Sequence, residues 1–397
     1  MRGRRLFLTV TAGRSGTRLL ARLLTEVLQV DAEHEPAPRA NLALRPALED
    51  GAFALGWLAA AKLPAIAARS GATYIETSHL YCKGLIEPLW ALGVRPGFII
   101  VRRDARAIAS SLFRMGTVPA RTREGRLVLL DPSDRGTLPF PHWQRAGDYE
   151  LCFWYALEIE RRQAAYRERF IADGTPFVDV TIGELTSWDG FLRVARLVAP
   201  DADPAARRAE FDAIVAVDQH PAAAALPGLR DRRLPADLDA REDAVRAAVA
   251  AGAGRPRVVR ARDTLLAALL PRNATVLEID GETAPLDADV PRRCDALIVA
   301  GGTEGCAALR DAAVTLAAHR PVVLVRRAAP AAAVRAFESL DALHYAVFRT
   351  TGATLLAVPR ERGHALPSSL ARVLRLERVD DAHALAADVL GQAAKAT

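Results

Sequence analysis

Residues 13–17, Gly-Arg-Ser-Gly-Thr, have the types and spacing of a loop that binds a phosphate-like anion. The loop follows an apolar run over residues 6–11 and leads directly into an amphipathic helical pattern over residues 17–29. Glycines let a backbone turn tightly around a ligand, and the first N–H groups of a helix point at it. The candidate ligand-binding residues of this loop are Gly13, Arg14, Ser15, Gly16, Thr17 and Arg18.

The same loop lacks the residues of a nucleoside triphosphatase. A Walker loop ends in Gly-Lys-Ser/Thr, where the lysine reaches the β- and γ-phosphates and the hydroxyl binds magnesium. Here Gly16 is followed by Thr17 and Arg18. The sequence therefore disfavours a P-loop kinase, which stays open as an alternative.

A second candidate anion site follows an apolar strand pattern over residues 97–102. Arg103 comes directly after this strand, and Ser111 lies eight residues later in a predicted helix over residues 105–113. Eight residues are about two helical turns, so a strand-end arginine and a helical hydroxyl can converge on one anion. Arginine stays charged at any working pH and holds oxygens through a planar fork.

The elements that must position these residues alternate between strands and helices. Predicted strands cover residues 6–11, 72–76, 97–102 and 177–181, and predicted helices cover residues 17–29, 83–92, 105–113 and 149–169. This alternation predicts an α/β fold with a parallel sheet covered by helices on both faces. Ligands of such sheets bind at the carboxyl ends of the strands, where residues 13–17 lie. Residues 115–147 lack periodicity and are predicted to be a long loop that shapes the acceptor site.

In order and separation, the two basic motifs resemble those of sulfotransferases that use 3′-phosphoadenylyl sulfate (PAPS). Residues 13–17 look like the 5′-phosphosulfate loop of that family, and residues 101–111 look like its 3′-phosphate motif, in which an arginine precedes a serine by eight. The resemblance covers residues 5–200 and implies a P-loop-like fold. The residues that would bind the 5′-phosphosulfate are then Arg14, Ser15, Gly16 and Thr17. Those that would bind the 3′-phosphate are Arg103 and Ser111. The family's usual proline after Asp104 is replaced by Ala105.

Transfer of a sulfuryl group to a hydroxyl needs a base for the hydroxyl proton and stabilisation of the leaving phosphate. Arg14 and the helix-start amides suit the second role without a metal. For the first, residues 34–36, His-Glu-Pro, resemble a segment of bacterial and glycan- or tyrosine-directed sulfotransferases whose glutamate is the base. Glu35 is therefore the first candidate and His34 the second. His79 is the third, because cytosolic relatives use a strand-adjacent histidine.

Composition changes near residue 200, after the last of the five tryptophans, and predicts two domains, 1–255 and 256–397. Residues 295–359 show a strand–helix–strand–helix–hairpin pattern that resembles the C-terminal half of FkbM-type methyltransferases. Residues 299–305, Val-Ala-Gly-Gly-Thr-Glu-Gly, stand where that family reads Ile-Asp-Val-Glu-Gly, and no glycine-rich loop for S-adenosylmethionine precedes them. We expect a smaller, partly Rossmann-like α/β domain that is a degenerate methyltransferase without activity.

The overall composition is that of a globular protein with ample core, since 51% of the 397 residues are hydrophobic and 25% are charged. The net charge of +6 fits an anionic ligand, but charge alone favours the plainer explanation of an arginine-rich proteome. No CxxC pair occurs among Cys82, Cys152, Cys294 and Cys306, which indicates buried free thiols in a reducing cytoplasm.

The sequence thus predicts a cytoplasmic sulfotransferase that moves a sulfuryl group from PAPS to a hydroxyl of a carbohydrate or secondary metabolite. The expected product is adenosine 3′,5′-bisphosphate. We expect no nucleic-acid partner, no bound metal and no transmembrane segment, and a homo-oligomer is compatible with the sequence. The alternatives are a small-molecule kinase and a non-catalytic binding or scaffold protein.

Overall fold

The computed structural model divides the chain into two compact units. The first comprises Met1–Asp131 with His142–Ala247, and the second comprises Pro132–Pro141 with Ala248–Thr397. The second unit thus begins before residue 256, where composition placed it, and also takes in residues 132–141. The structure describes residues 4–49, 51–134, 136–217, 232–253, 257–259, 270, 274–279, 294–300, 309, 312–326, 330–350, 354–361 and 377–379.

The first unit is built on a five-stranded parallel sheet. Its strands are β1 (Arg5–Thr11), β2 (Asp31–His34), β3 (Thr73–Thr77), β4 (Gly97–Arg102) and β5 (Phe177–Thr181). Their order across the sheet is β2-β3-β1-β4-β5, and every neighbouring pair is parallel. The central strand β1 is buried along all but its first residue, as expected for a parallel strand covered on both faces.

Helices connect and follow these strands. They are α1 (Thr17–Arg22), α2 (Ala40–Glu49), α3 (Gly51–Trp57), α4 (Leu63–Ala67), α5 (Ile86–Ala91), α6 (Ala105–Arg114), α7 (Arg123–Val128), α8 (Asp148–Asp173), α9 (Ile182–Leu185), α10 (Trp188–Val198), α11 (Arg208–Ala216) and α12 (Leu238–Gly252). Strand β4 packs on both sides: Ile99 and Val101 join a core cluster with Leu20 of α1, whereas Phe98 stacks on Phe170 of α8 at 4.3 Å. The predicted two-sided α/β packing is therefore confirmed.

Several predicted elements differ from the observed ones. The first helix is α-helical only to Arg22 and continues as a π-helical turn, Leu23–Val27, instead of reaching residue 29. Residues 115–147, predicted to be a loop, contain α7. Strand β2 was missed because its sequence, Asp-Ala-Glu-His, is polar and half-buried at a sheet edge, so no apolar run marks it.

The second unit contains a mixed sheet. Its strands are β6 (Arg257–Val259), β7 (Val276–Ile279), β8 (Ala296–Ala300), β9 (Val322–Arg326), β10 (Tyr345–Thr350), β11 (Thr354–Pro359) and β12 (Glu377–Val379). Their order is β12-β10-β11-β9-β8-β7-β6, in which β7, β8 and β9 are parallel and the other pairs are antiparallel. Helices α13 (Ala313–His319) and α14 (Pro330–Ala342) follow β8 and β9.

The predicted hairpin of the second unit is confirmed by the antiparallel pairing of β10 with β11. Strand β8 alternates between two cores: Leu297 and Val299 face one apolar cluster, and Ala296 and Ile298 face the other. The glycines at 301, 302 and 305, and the fourth cysteine at 306, lie outside the described residues.

The cysteines that the structure describes, Cys82, Cys152 and Cys294, are free and buried. Burial raises the pKa of each of these thiols, so they are protonated near neutral pH. Searched over the described residues, the chain has no helix that is long and apolar enough to cross a membrane.

Candidate functional site

The carboxyl ends of four parallel strands place the predicted site residues along one edge of the first sheet. In the order β2, β3, β1 and β4, these ends are followed by Glu35, His79, the loop 13–17 and Arg103. Because parallel strands all end on the same side of a sheet, residues far apart in the chain are gathered in one region. The carboxyl ends of these four strands therefore position the residues of the candidate site.

The loop after β1 has a left-handed backbone at two positions. Arg14 has a φ of 70° and Gly16 a φ of 84°, in the region that glycine adopts without strain. A Cβ atom on Gly16 would lie 2.3 Å from Cδ1 of Ile182, so the end of the Ile182 side chain would have to move to admit it. The amide of Gly13 donates a hydrogen bond to the hydroxyl of Tyr155 at 3.3 Å. The loop thus has a left-handed backbone at Arg14 and Gly16 and is bonded to Tyr155 through the amide of Gly13.

Arg14, Arg103 and Ser111 meet beside this loop. Nε of Arg14 donates to Oγ of Ser111 at 3.0 Å, and Nη1 of Arg103 donates to the backbone carbonyl of Arg14. Arg103 occupies this place because the chain turns there into α6, whose start is capped: Oδ2 of Asp104 accepts from the amide of Ala107 at 2.8 Å. The side chains of Arg14 and Ser111 are therefore bonded to each other, and the guanidinium of Arg103 is bonded to the backbone of the same loop. Guanidinium and hydroxyl groups are donors that suit a multiply charged anion.

Ser15 has a buried hydroxyl for which the described part of the chain provides no hydrogen-bond partner. Leaving a buried hydroxyl unpaired costs about 1–3 kcal/mol, so such a group is usually satisfied by a ligand or water. Thr17, which begins α1, is buried as well, whereas Arg18 is exposed. The Ser15 hydroxyl thus fits the oxygen of a bound phosphate or sulfate group.

The three candidate bases lie together at the ends of β2 and β3. Nε2 of His79 is 3.4 Å from Oε1 of Glu35, but without the geometry of a hydrogen bond. Oε1 of Glu35 is buried, and within the described ranges it has no hydrogen-bond partner. Glu35 is also held in the left-handed region, with a φ of 46°. His34 donates instead from Nδ1 to the carbonyl of Thr77 at 3.0 Å, which leaves Nε2 as an acceptor.

Burial lowers the pKa of both histidines. For His34 desolvation is the largest cause; the charge of Arg18 lowers the pKa further, whereas Glu35 opposes the shift. The pKa of His79 falls well below its usual value because the ring is buried and lies beside Lys83. Both rings are therefore neutral near pH 7.

Lys83 is a site residue that the sequence reasoning missed. It ends the short 3₁₀ turn Tyr81–Lys83 and is completely buried, with Nζ 2.6 Å from Nδ1 of His79. Desolvation lowers the pKa of Lys83 to about 7. The only signal in the sequence is its position four residues after His79, within a stretch that is otherwise apolar.

A second buried lysine supports the segment after Glu35. Nζ of Lys62 lies 2.8 Å from Oε2 of Glu76, and each side chain is only 1% exposed. The same Nζ donates to the carbonyls of Pro36 at 3.3 Å and Pro38 at 3.1 Å. Burial raises the pKa of Glu76 to about 6 although the charge of Lys62 lowers it. The pair thereby ties residues 36–38 to β3.

No protein-family model matches the chain, and no curated protein matches it either. Over the ranges described above, no group of three or more His, Cys, Asp or Glu side chains is arranged to hold a metal ion. The arrangement combines an anion cradle with a buried carboxylate oxygen at the same sheet edge. This combination suits the transfer of an anionic group to a hydroxyl.

Proposed function

We propose that this protein is a sulfotransferase that moves a sulfuryl group from PAPS to a hydroxyl of a carbohydrate or secondary metabolite. The observation that carries the proposal is the meeting of Arg14, Arg103 and Ser111 at one loop, beside the buried, unpaired hydroxyl of Ser15. PAPS carries a 5′-phosphosulfate and a separate 3′-phosphate, and this cradle offers cationic and hydroxyl donors to both.

The residues of the cradle have distinct roles in this proposal. PAPS would supply the sulfuryl group and leave as adenosine 3′,5′-bisphosphate. Arg103 and Ser111 would hold the 3′-phosphate, and Ser15 and Thr17 would hold the 5′ side. Arg14 and the amides at the start of α1 would stabilise the negative charge that grows on the leaving phosphate oxygen. Arginine keeps its charge at any working pH, so this stabilisation needs no proton transfer.

Glu35 would take the proton of the acceptor hydroxyl. Its Oε1 is buried and unpaired in the described structure, and an ionised carboxylate only accepts hydrogen bonds. His79, 3.4 Å away, is neutral near pH 7 and would orient the carboxylate. Hydrogen bonds of a catalytic group are often long until the substrate is bound, which accords with this distance. His34 stays the second candidate for the base.

The second unit has no catalytic role in this proposal. We take it to be a methyltransferase-like α/β module that has lost its activity, and we expect S-adenosylhomocysteine not to bind it. A role in acceptor choice or dimerisation would be compatible with the sulfotransferase function.

The proposal is tested by calorimetric titration of adenosine 3′,5′-bisphosphate, in parallel with ATP–magnesium and S-adenosylhomocysteine. We expect micromolar binding of the bisphosphate alone. Arg14→Ala and Arg103→Ala should each weaken binding by about 1.5–3 kcal/mol, because each removes a charged hydrogen-bond donor. Arg102→Ala is the matched control, because Arg102 precedes Arg103 but is half-exposed and bonds Asp179 at 2.6 Å.

No binding of the bisphosphate by folded wild-type protein would overturn the proposal. Preference for ATP–magnesium would favour a kinase, and binding of S-adenosylhomocysteine would direct attention to the second unit. Tight bisphosphate binding without sulfuryl transfer to any hydroxyl acceptor would favour a non-catalytic binding protein.

A further inference from the structure

Lys83 is buried completely, in contact with a candidate site residue. Its Nζ lies 2.6 Å from Nδ1 of His79, donates to the carbonyl of Val128 and is 5.0 Å from the centre of the Tyr155 ring. Taking an ammonium group out of water is costly, and an apolar side chain of similar size would avoid this cost. The contacts that the amino group makes therefore indicate a role that an apolar side chain could not fill.

The contact with Lys83 decides which nitrogen of His79 carries the proton. While the amino group of Lys83 is charged it has three donors and no acceptor, so Nδ1 of His79 must then be the accepting, unprotonated nitrogen. In a neutral ring the proton is then on Nε2, the nitrogen that lies 3.4 Å from Oε1 of Glu35. Since a carboxylate oxygen can only accept, an Nε2–H group is the partner that this oxygen needs.

We propose that Lys83 is a positioning residue that fixes His79 as the Nε2–H tautomer and thereby directs the ring proton toward Oε1 of Glu35. The amino group contacts Nδ1 of the ring at 2.6 Å, and Nε2 on the other side of the ring lies 3.4 Å from the carboxylate oxygen. The expected effect of Lys83 on turnover rests on the proposed function, in which Glu35 is the base. The tautomer of His79 does not depend on that function.

The electrostatic surroundings keep His79 neutral, as a role based on a tautomer requires. The pKa of His79 is lowered well below its usual value, first by burial and then by the charge of Lys83. The other charged or titratable groups that act on Lys83 are Cys82, Glu35, Arg45 and Arg162. Of these, the thiol of Cys82 and the carboxylate of Glu35 favour the charged amino group, and the two arginines disfavour it.

The tautomer can be measured directly on the full chain without any ligand. We would label the histidines with ¹⁵N, assign His79 by its loss in His79→Gln, and record the ring nitrogen shifts at pH 6, below the pKa of about 7 of the Lys83 amino group. We expect a protonated Nε2 and an unprotonated Nδ1 in wild type. In Lys83→Met the preference should weaken or reverse, whereas the exposed His142 should keep its spectrum. A protonated Nδ1 in wild type would overturn the proposal, whatever the variants do.

Turnover provides the second readout. Loss of a partner that orients a catalytic side chain typically costs about 10- to 100-fold in activity, and we expect this loss in kcat of Lys83→Met with KM little changed. Lys83→Arg keeps a cationic donor and should recover part of the rate. Unchanged kcat in a folded Lys83→Met would overturn the positioning role. The bisphosphate titration tests the proposed function separately. If that function is wrong, the tautomer measurement still applies, because it uses the protein without a ligand.

Discussion

Arg14, on the loop after β1, and Ser111, on α6, are 97 residues apart in the chain and are joined by a 3.0 Å hydrogen bond from Nε to Oγ. The contact exists because β4, which leads into α6, is the parallel neighbour of β1. Two motifs that are separate in the sequence thereby become a single cluster. Arg103 strengthens the connection by donating to the Arg14 carbonyl.

If Arg14 and Ser111 bind the bisphosphate as a unit, their variants will not be additive. We expect Ser111→Ala to weaken binding by about 0.5–1.5 kcal/mol and Arg14→Ala by more, because the arginine donor is charged. The double variant should lose less than the sum of the two, with a coupling of about 0.5 kcal/mol or more by calorimetry. Ser110→Ala, one residue away on α6, is the control. Strict additivity would show that the hydrogen bond does not serve the ligand.

Glu35→Gln should reduce kcat for sulfuryl transfer by about 10²–10⁴-fold, because the amide keeps the shape of the side chain but cannot take a proton. His34→Gln should have a much smaller effect, since its Nδ1 proton is bound to the Thr77 carbonyl. Steady-state rates at saturating PAPS with one acceptor would measure both. A large loss in His34→Gln with normal turnover in Glu35→Gln would reverse the assignment of the base.

Gly16→Ala should destabilise the fold somewhat more than Gly93→Ala, because a positive φ costs about 1–2 kcal/mol at either position and at Gly16 the end of the Ile182 side chain must also move away from the new Cβ. Gly93→Ala is the control, since Gly93 has a φ of 77° but no atom lies within 4 Å of the place that its Cβ would take. Urea unfolding would compare the two. Combining Gly16→Ala with Ile182→Ala should relieve the clash; equal costs for both glycines would contradict a steric origin.

The buried amino group of Lys83 predicts a specific pH dependence of stability. Its pKa is about 7 in the folded chain and 10.5 as the ordinary value, so between these values the unfolded state binds more protons. The contribution of Lys83 to the free energy of unfolding is therefore lowest below pH 7. Between pH 7 and 10.5 it rises by about 1.4 kcal/mol per pH unit. The difference in unfolding free energy between wild type and Lys83→Met should rise accordingly from pH 7 to 10. A flat difference would refute the lowered pKa.

Lys62→Met should destabilise the fold by about 3–5 kcal/mol at pH 8, because it leaves the buried carboxylate of Glu76 without its partner. The cost should shrink at lower pH, where Glu76 becomes neutral, and in the double variant with Glu76→Leu. Thermal unfolding across this pH range measures the effect. Asp173→Asn, which removes an exposed ion pair with Arg169, should change stability little. A cost that does not vary with pH would argue against an unpaired carboxylate.

Local sequence signals determined the central elements of the first unit. Strands β4 and β5 have the predicted bounds: β4 is an apolar run that ends at an arginine, and β5 is a short run rich in β-branched and aromatic residues. The loop 13–17 was recognised for the same reason, since its glycines are a short-range feature. Strand β2 carries no such signal, because a polar edge strand is defined by the neighbour that it pairs with.

The sequence by itself determined which residue types were present for chemistry: a basic glycine loop, Arg103 with Ser111 eight residues later, and three candidate bases. Only the tertiary structure decided that Glu35 and His79 are neighbours and that Lys83 is buried against His79. The physical reason is that a parallel sheet sets contacts by the order of its strands, which depends on long-range packing. Burial and the resulting pKa values also depend on that packing, so no local pattern could have revealed them.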